Sequence, residues 1–223
     1  MHVELLAFVT IAIFLSAISM KVPGQPLILG SSSATRRLIL TNAGITFTVC
    51  KADIDERAIG DRSIGTFDRA AELVLLLGNK KTDAILTKLP HDLKGRVLLC
   101  ADQVVTYKDT ILEKPDTIEE ARKFIKGYSK STCSTVGSIV LTDTNTGKRV
   151  SGIDISTIHF NEIPDEAIEA ILAEEDCMYC AGGLMIEHPN VQPYIERIHG
   201  TMEGVMGLSL VKLDELMEQL SQS

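Results

Sequence analysis

Apolar positions along the chain fall into short runs of strand length and longer stretches at helical spacing, and the two alternate. Leu27, Ile28 and Leu29 read as a buried strand, and Gly30 turns the chain after it. Ser31 to Ser33 are N-cap candidates for a helix over residues 34–43, with Leu38 and Leu40 as its apolar residues and Gly44 beyond its end. Residues 46–50 alternate weakly and predict a second strand. Between Phe67 and Leu89, Ala70, Leu73, Val74, Leu77, Ile85 and Leu86 recur at helical spacing, with Gly78 in the middle and Pro90 closing the stretch. Residues 96–107 predict a long strand, which Lys108 and Asp109 turn into an antiparallel return over residues 110–115. Thr117 to Glu120 is a capping box, so a helix runs to about Gly127 with Ala121, Phe124 and Ile125 inward. Strands follow at 136–142 and 148–160, then a helix from Pro164 over 165–175 and a short strand at 184–187. A glycine-punctuated loop over 200–208 leads to an amphipathic helix over 211–220. This mixture predicts an α/β fold. At 223 residues it is one large domain or two lobes sharing a cleft.

Residues 5–18 are mostly apolar, a run too short for a typical membrane span and about right for a signal segment. Glu4 stands where a signal would carry positive charge. The preferred reading is an apolar extension, residues 1–19, signal-like or upstream of the true start, ahead of a single domain over 20–223. No membrane partner is expected for that domain.

Hydrophobic residues make up 45% of the chain and aromatics 4%, with no Trp, which fits an aliphatic α/β core. A net charge of -8 leaves no basic excess for a nucleic-acid polymer, whereas a small anion needs only a local basic pocket. The five cysteines are scattered through apolar segments and read as reduced thiols of a cytoplasmic protein. Cys177 and Cys180 form a lone CxxC with no second pair for zinc, so they too read as structural thiols. None of the five His residues stands at helical ligand spacing.

Candidate chemistry gathers in two places. A strand that opens directly into a helix aims backbone N–H groups at one spot, which favours an anion. Cations usually avoid a helix N-terminus, so Arg36 and Arg37 there ask for an anion, and a phosphate site with Ser31 and Ser33 beside them competes evenly with a surface helix that happens to begin with two arginines. Asp102 interrupts an apolar strand, where a carboxylate is costly unless paired, hydrogen-bonded or bound to metal. A structural Asp satisfied by backbone competes with a functional acid at a cleft, and the latter is favoured. The hairpin returns Lys114 towards Asp102. By spacing alone, Asp53, Asp55 and Glu56 are solvated loop charges and the Lys80–Lys81 pair faces solvent.

Gly30 to Arg37, Ala101 to Val105, Lys114-Pro115, Ala181-Gly-Gly and Gly207-Leu208 occur in this order. With them the chain resembles the Maf family of nucleoside triphosphate pyrophosphatases, over residues 27–213. The resemblance implies hydrolysis between the α and β phosphates to a monophosphate and pyrophosphate, with magnesium or manganese as cofactor. It also implies an elongated mixed sheet flanked by helices, two lobes around a central cleft of the Maf/ITPase-like kind, and a homodimer. Asp102 then matches the family's general base or metal ligand, and Glu56 the acid of its Asp-Glu loop. Lys81 and Lys114 match its lysines, and Arg36 and Arg37 its arginine pair, which revises the bland reading of Glu56 and Lys81. Gln103 stands where the family usually has Thr, and Glu187 where it often has Gln. Together with Cys180 and the extra residue before Arg36, these look like the subfamily that hydrolyses 7-methyl-GTP. The alternatives are a dTTP/UTP pyrophosphatase of the same family, or a low-turnover nucleotide-binding regulator of division or septation.

Overall fold

The computed structural model describes residues 26–63 and 65–222, so the apolar extension lies outside the described residues. Seven strands form one mixed sheet: β1 (Leu27–Leu29), β2 (Phe47–Val49), β3 (Val97–Tyr107), β4 (Thr110–Leu112), β5 (Thr132–Asp143), β6 (Arg149–Phe160) and β7 (Ile195–His199). Among the described residues, six α-helices accompany them: α1 (Ala34–Asn42), α2 (Phe67–Thr87), α3 (Ile118–Tyr128), α4 (Asp165–Ala173), α5 (Met202–Met206) and α6 (Leu210–Ser221). The strand order is β2-β1-β3-β5-β6-β7, with β4 also paired to β3. β1 runs parallel to β2 and β3, and every other pairing is antiparallel. The α/β expectation holds.

β3 governs the layout. Along one edge it pairs with β5 almost throughout, from Val97 to Thr106. On the other edge it pairs with β1 at Leu98 and Leu99, and with β4 from Val105 to Tyr107. Cys100 to Val104 therefore have no strand beside them on that edge. A gap in the sheet opens there.

Successive side chains of a strand point to opposite faces, so one stretch of β3 serves two layers. Leu99 and Ala101 pack with Ile39 and Leu40 of α1 and with Leu213 and Leu216 of α6. Leu98 and Cys100 face the opposite layer, with Ile85 of α2. Beyond the gap, Val105 joins a third cluster with α3, α4, Tyr128 and Phe160. The two ends of β3 thus carry separate cores, the two lobes expected on either side of a cleft.

Gly78 shows why α2 lies so close to the sheet. A Cβ there would lie 3.0 Å from Val140 Cγ2 and 3.1 Å from Ser138 Oγ, and Ser138 donates to the Val74 carbonyl at 2.7 Å. The weak helix former at mid-helix is a seat for β5, and its propensity cost is offset by packing. Gly78→Leu is expected to lower stability by about 2 kcal/mol through overpacking. A thermal melt shifted down by about 4–8 °C would confirm it; an unchanged melt would mean that α2 does not rest on Gly78.

Some local expectations are corrected. Leu38 is exposed, and α1 buries Arg36, Ile39 and Leu40 instead. Residues 184–187 form no strand. Gly182 and Gly183 take φ of +63° and +61°, and short-range bonds such as Leu184 N to the Ala181 carbonyl curl the chain. The 200–208 loop contains α5, whose first turn is capped when Gly204 N donates to Thr201 Oγ1 at 3.0 Å. Pro164 stands at the N-cap of α4 rather than inside its first turn.

Candidate active site

The gap beside β3 opens into a cavity of about 670 Å³, a size suited to a small organic ligand. Its walls come from the β1–α1 connection, α2, β3, the segment after α4, and α5. In open α/β sheets ligands bind beyond the carboxyl ends of parallel strands, and β1 and β2 both end at this cavity.

Arg36 closes one wall. Its first-turn position on α1 is fixed by Ser33, whose hydroxyl accepts from Arg36 N at 3.2 Å. Arg36 is 8% exposed, and its Nε and Nη1 donors are committed to the protein. Nη1 donates to the Ala101 carbonyl at 2.9 Å, on the unpaired edge of β3, and to Ser31 Oγ at 3.1 Å; Nε donates to the Gly207 carbonyl at 2.8 Å. Burial pulls its pKa down, and Asp102 and Glu56 oppose that shift. Arg37, one residue on, is exposed and does not line the cavity.

Asp102 projects from the unpaired stretch of β3 and is 9% exposed. Its Oδ1 accepts from Gln103 N at 2.8 Å, which satisfies a backbone donor that no strand reaches. Its Oδ2 accepts from Lys81 Nζ at 2.9 Å, and Glu56 Oε2 lies 2.9 Å from the same ammonium. Lys81 is buried while Lys80 is exposed, because α2 turns by about 100° per residue and only one of an adjacent pair can face the sheet. Arg62 holds the turn that bears Glu56: it donates to the Glu56 carbonyl at 2.8 Å and to Glu113 Oε2 at 2.6 Å.

Gln103 points the other way and donates through Nε2 to the Gly204 carbonyl at 2.8 Å, so it shares with Arg36 the task of holding α5. Lys114 reaches the cavity from the β4 side. Across from it lies the segment carrying Cys180 and Glu187, held where Gly182 N donates to the Glu113 carbonyl at 2.8 Å. Gly182 cannot carry a side chain, since a Cβ would meet the Tyr128 hydroxyl at 2.5 Å, and that hydroxyl donates to the Gly182 carbonyl. Burial pushes the Glu187 carboxyl up, and it pushes the Cys180 thiol up to about 12, with Glu187 adding to the latter. A thiol so protected is a poor nucleophile. All five cysteines are free.

The structure thus brings Ser31, Ser33, Arg36, Glu56, Lys81, Asp102, Gln103, Lys114 and Glu187 to one cavity and leaves Arg37 outside its lining. Lys51 and Tyr179 line it too, and neither was singled out in the sequence. Lys51 follows β2 as Ser31 follows β1, so its place at the end of a parallel strand was the available signal. Among the described residues, Lys51 and Lys114 have no carboxylate within ion-pair distance. Two such ammoniums, the N-terminus of α1 and a buried carboxylate can bind a polyanion and activate a water beside it.

Comparison with known proteins gives the family to which the chain is similar. The family model described as Maf-like protein matches residues 26–220. A 7-methyl-GTP pyrophosphatase of Dictyostelium discoideum is 35% identical, over 89% of this chain and 98% of that protein. A nucleoside triphosphate pyrophosphatase of Salinispora tropica is 30% identical, over 87% and 84% of the two chains. A dTTP/UTP pyrophosphatase of Alkaliphilus metalliredigens is 28% identical, over 87% and 96%.

Proposed function

The chain belongs to the Maf family, and from that premise we propose that it is a nucleoside triphosphate pyrophosphatase. It cleaves the α–β phosphate bond to give a nucleoside monophosphate and pyrophosphate. The observation that carries this reading is the cavity itself: an acid in the gap of β3, faced by unpaired ammoniums and a helix N-terminus.

In the mechanism that follows, the backbone N–H groups at the start of α1, with Ser31 and Ser33, receive phosphate oxygens. Lys51 and Lys114 add charge that attracts the triphosphate and stabilises the departing pyrophosphate. Arg36 holds the wall through Nε and Nη1, and its Nη2, which has no hydrogen bond to the described residues, is left to meet a phosphate oxygen. Asp102 takes the proton from the attacking water, and Lys81 holds its carboxylate in place.

The family resemblance implies a divalent cation. Glu56 and Asp102 both hold the Lys81 ammonium, each with an oxygen 2.9 Å from Nζ, and their remaining hard oxygens are the donors that would suit magnesium or manganese. Among the described residues no group of three or more His, Cys, Asp or Glu could hold a metal. Two carboxylates with water and phosphate oxygens completing the shell is the usual habit of magnesium. When bound, the ion would neutralise charge on the triphosphate.

For the base, we favour 7-methyl-GTP. Glu187 lines the cavity with its carboxyl penalised by burial, and a cationic methylated guanine would remove that penalty. The free thiols favour a reducing compartment such as the cytoplasm, and the family resemblance favours a homodimer.

Pyrophosphate release with magnesium or manganese from 7-methyl-GTP, GTP, CTP, dTTP and UTP tests the proposal. Preference for 7-methyl-GTP is the expected result; preference for dTTP or UTP would keep the enzyme class and remove Glu187 as a selector. Glu187→Gln is expected to reduce the preference for 7-methyl-GTP over GTP by about tenfold, the loss of one charged contact worth about 1.4 kcal/mol. A carboxyl whose folded pKa is raised stabilises the fold at acid pH and loses that contribution as pH rises through the raised value. Glu187→Gln should therefore raise the melting temperature of the free enzyme more at pH 8 than at pH 5.

A further inference from the structure

Among the described residues, Tyr179 is the only aromatic that lines the cavity, and 75% of its surface is exposed. Its neighbours in the same 3-10 turn, Asp176–Tyr179, behave differently. Cys177 is fully buried, and Met178 packs against the core beside Leu184 and Met185. Tyr179 is left off that core and lines the cavity. The turn is not loose. It lies just before Gly182, which is fixed on both sides by the Glu113 carbonyl and the Tyr128 hydroxyl. An exposed aromatic ring on a fixed turn at a cavity wall offers a flat apolar surface that a flat partner would cover. Glu187, whose carboxyl burial disfavours, belongs to the same wall.

We propose that Tyr179 is the stacking platform for the nucleotide base, and that with Glu187 it selects a flat, positively charged base over a neutral one. This rests on the pyrophosphatase reading. A neutral purine stacks on a phenol ring through dispersion and area burial, and a cationic purine gains the attraction of the ring's negative face as well. Glu187 would supply the opposite charge from the same segment. One wall would then read both the shape and the charge of the base, while the α1 and β3 side handles the phosphates.

The chain contains no Trp, so Tyr179→Trp introduces a single fluorophore at the proposed platform. Titration of that variant with 7-methyl-GMP is expected to quench its emission saturably, at several-fold lower concentration than GMP, and inorganic pyrophosphate should leave it unchanged. Tyr179→Ala should raise KM for 7-methyl-GTP by about tenfold with kcat within about twofold, in line with measured base–aromatic stacking. Tyr179→Phe, which keeps the ring, should restore KM to within about twofold of the parent. An unchanged KM in Tyr179→Ala, with the parent enzyme active, would overturn the proposal and leave the pyrophosphatase reading standing. So would quenching by pyrophosphate equal to that by 7-methyl-GMP. Base-dependent quenching in a protein that hydrolyses no nucleotide would support the platform and reject the enzyme.

Discussion

Asp102→Asn is expected to lower turnover by about a thousandfold, within the range ascribed to a lost general base, while nucleotide still binds. Asn keeps the shape of the side chain and an oxygen to accept from Gln103 N, and it loses the basicity that activates water. The same substitution removes a negative charge beside a triphosphate, so affinity measured without a divalent cation should hold or improve. Lys81 keeps Glu56 as a partner, so the stability loss should stay near 1–2 kcal/mol, the scale of one charge-assisted hydrogen bond. Pyrophosphate release, nucleotide titration by calorimetry and a thermal melt separate the three quantities. If binding and melting temperature fell together with turnover, Asp102 would be a structural acid whose only task is to pair Lys81.

Arg36→Met should produce the largest stability change among the site residues. The guanidinium joins α1, the unpaired edge of β3 and the end of α5 through the Ala101 and Gly207 carbonyls and Ser31 Oγ. Met fills similar volume and leaves those acceptors buried without a donor. Losing hydrogen bonds from a charged group costs about 3 kcal/mol, or a melting temperature lower by about 6–12 °C. Arg37→Met should change stability by less than about 0.5 kcal/mol, as exposed positions usually do. Parallel melts of the two variants provide the check. Equal shifts would mean that the adjacent arginines share one role.

The contrast between these arginines shows what sequence could and could not provide. A strand, a glycine, three serines and a helix start are local features, and they placed β1 and α1 correctly. Which arginine turns inward depends on how α1 rotates against the sheet, and that is decided by Ile39 and Leu40 meeting Leu99 and Ala101 some sixty residues away. The Lys80–Lys81 pair poses the same problem, and only the family resemblance selected Lys81. Asp102 was legible because a charge in an apolar strand demands an explanation. Its explanation was not, since the gap in β3 arises from strands separated in sequence. The segment at 184–187 misled because a short run of apolar residues also suits a curl fixed by two preceding glycines. Tyr179 gave no signal, because a single aromatic has no periodicity to betray which way it points.

The most direct test of the account is to identify the products when the protein meets 7-methyl-GTP or another nucleoside triphosphate with magnesium or manganese. Phosphorus NMR distinguishes the possible cuts without a coupled assay. Nucleoside monophosphate and pyrophosphate in equal amounts are the predicted products. Diphosphate and inorganic phosphate would contradict the proposed bond, and intact triphosphate with confirmed binding would make the protein a nucleotide-binding regulator instead.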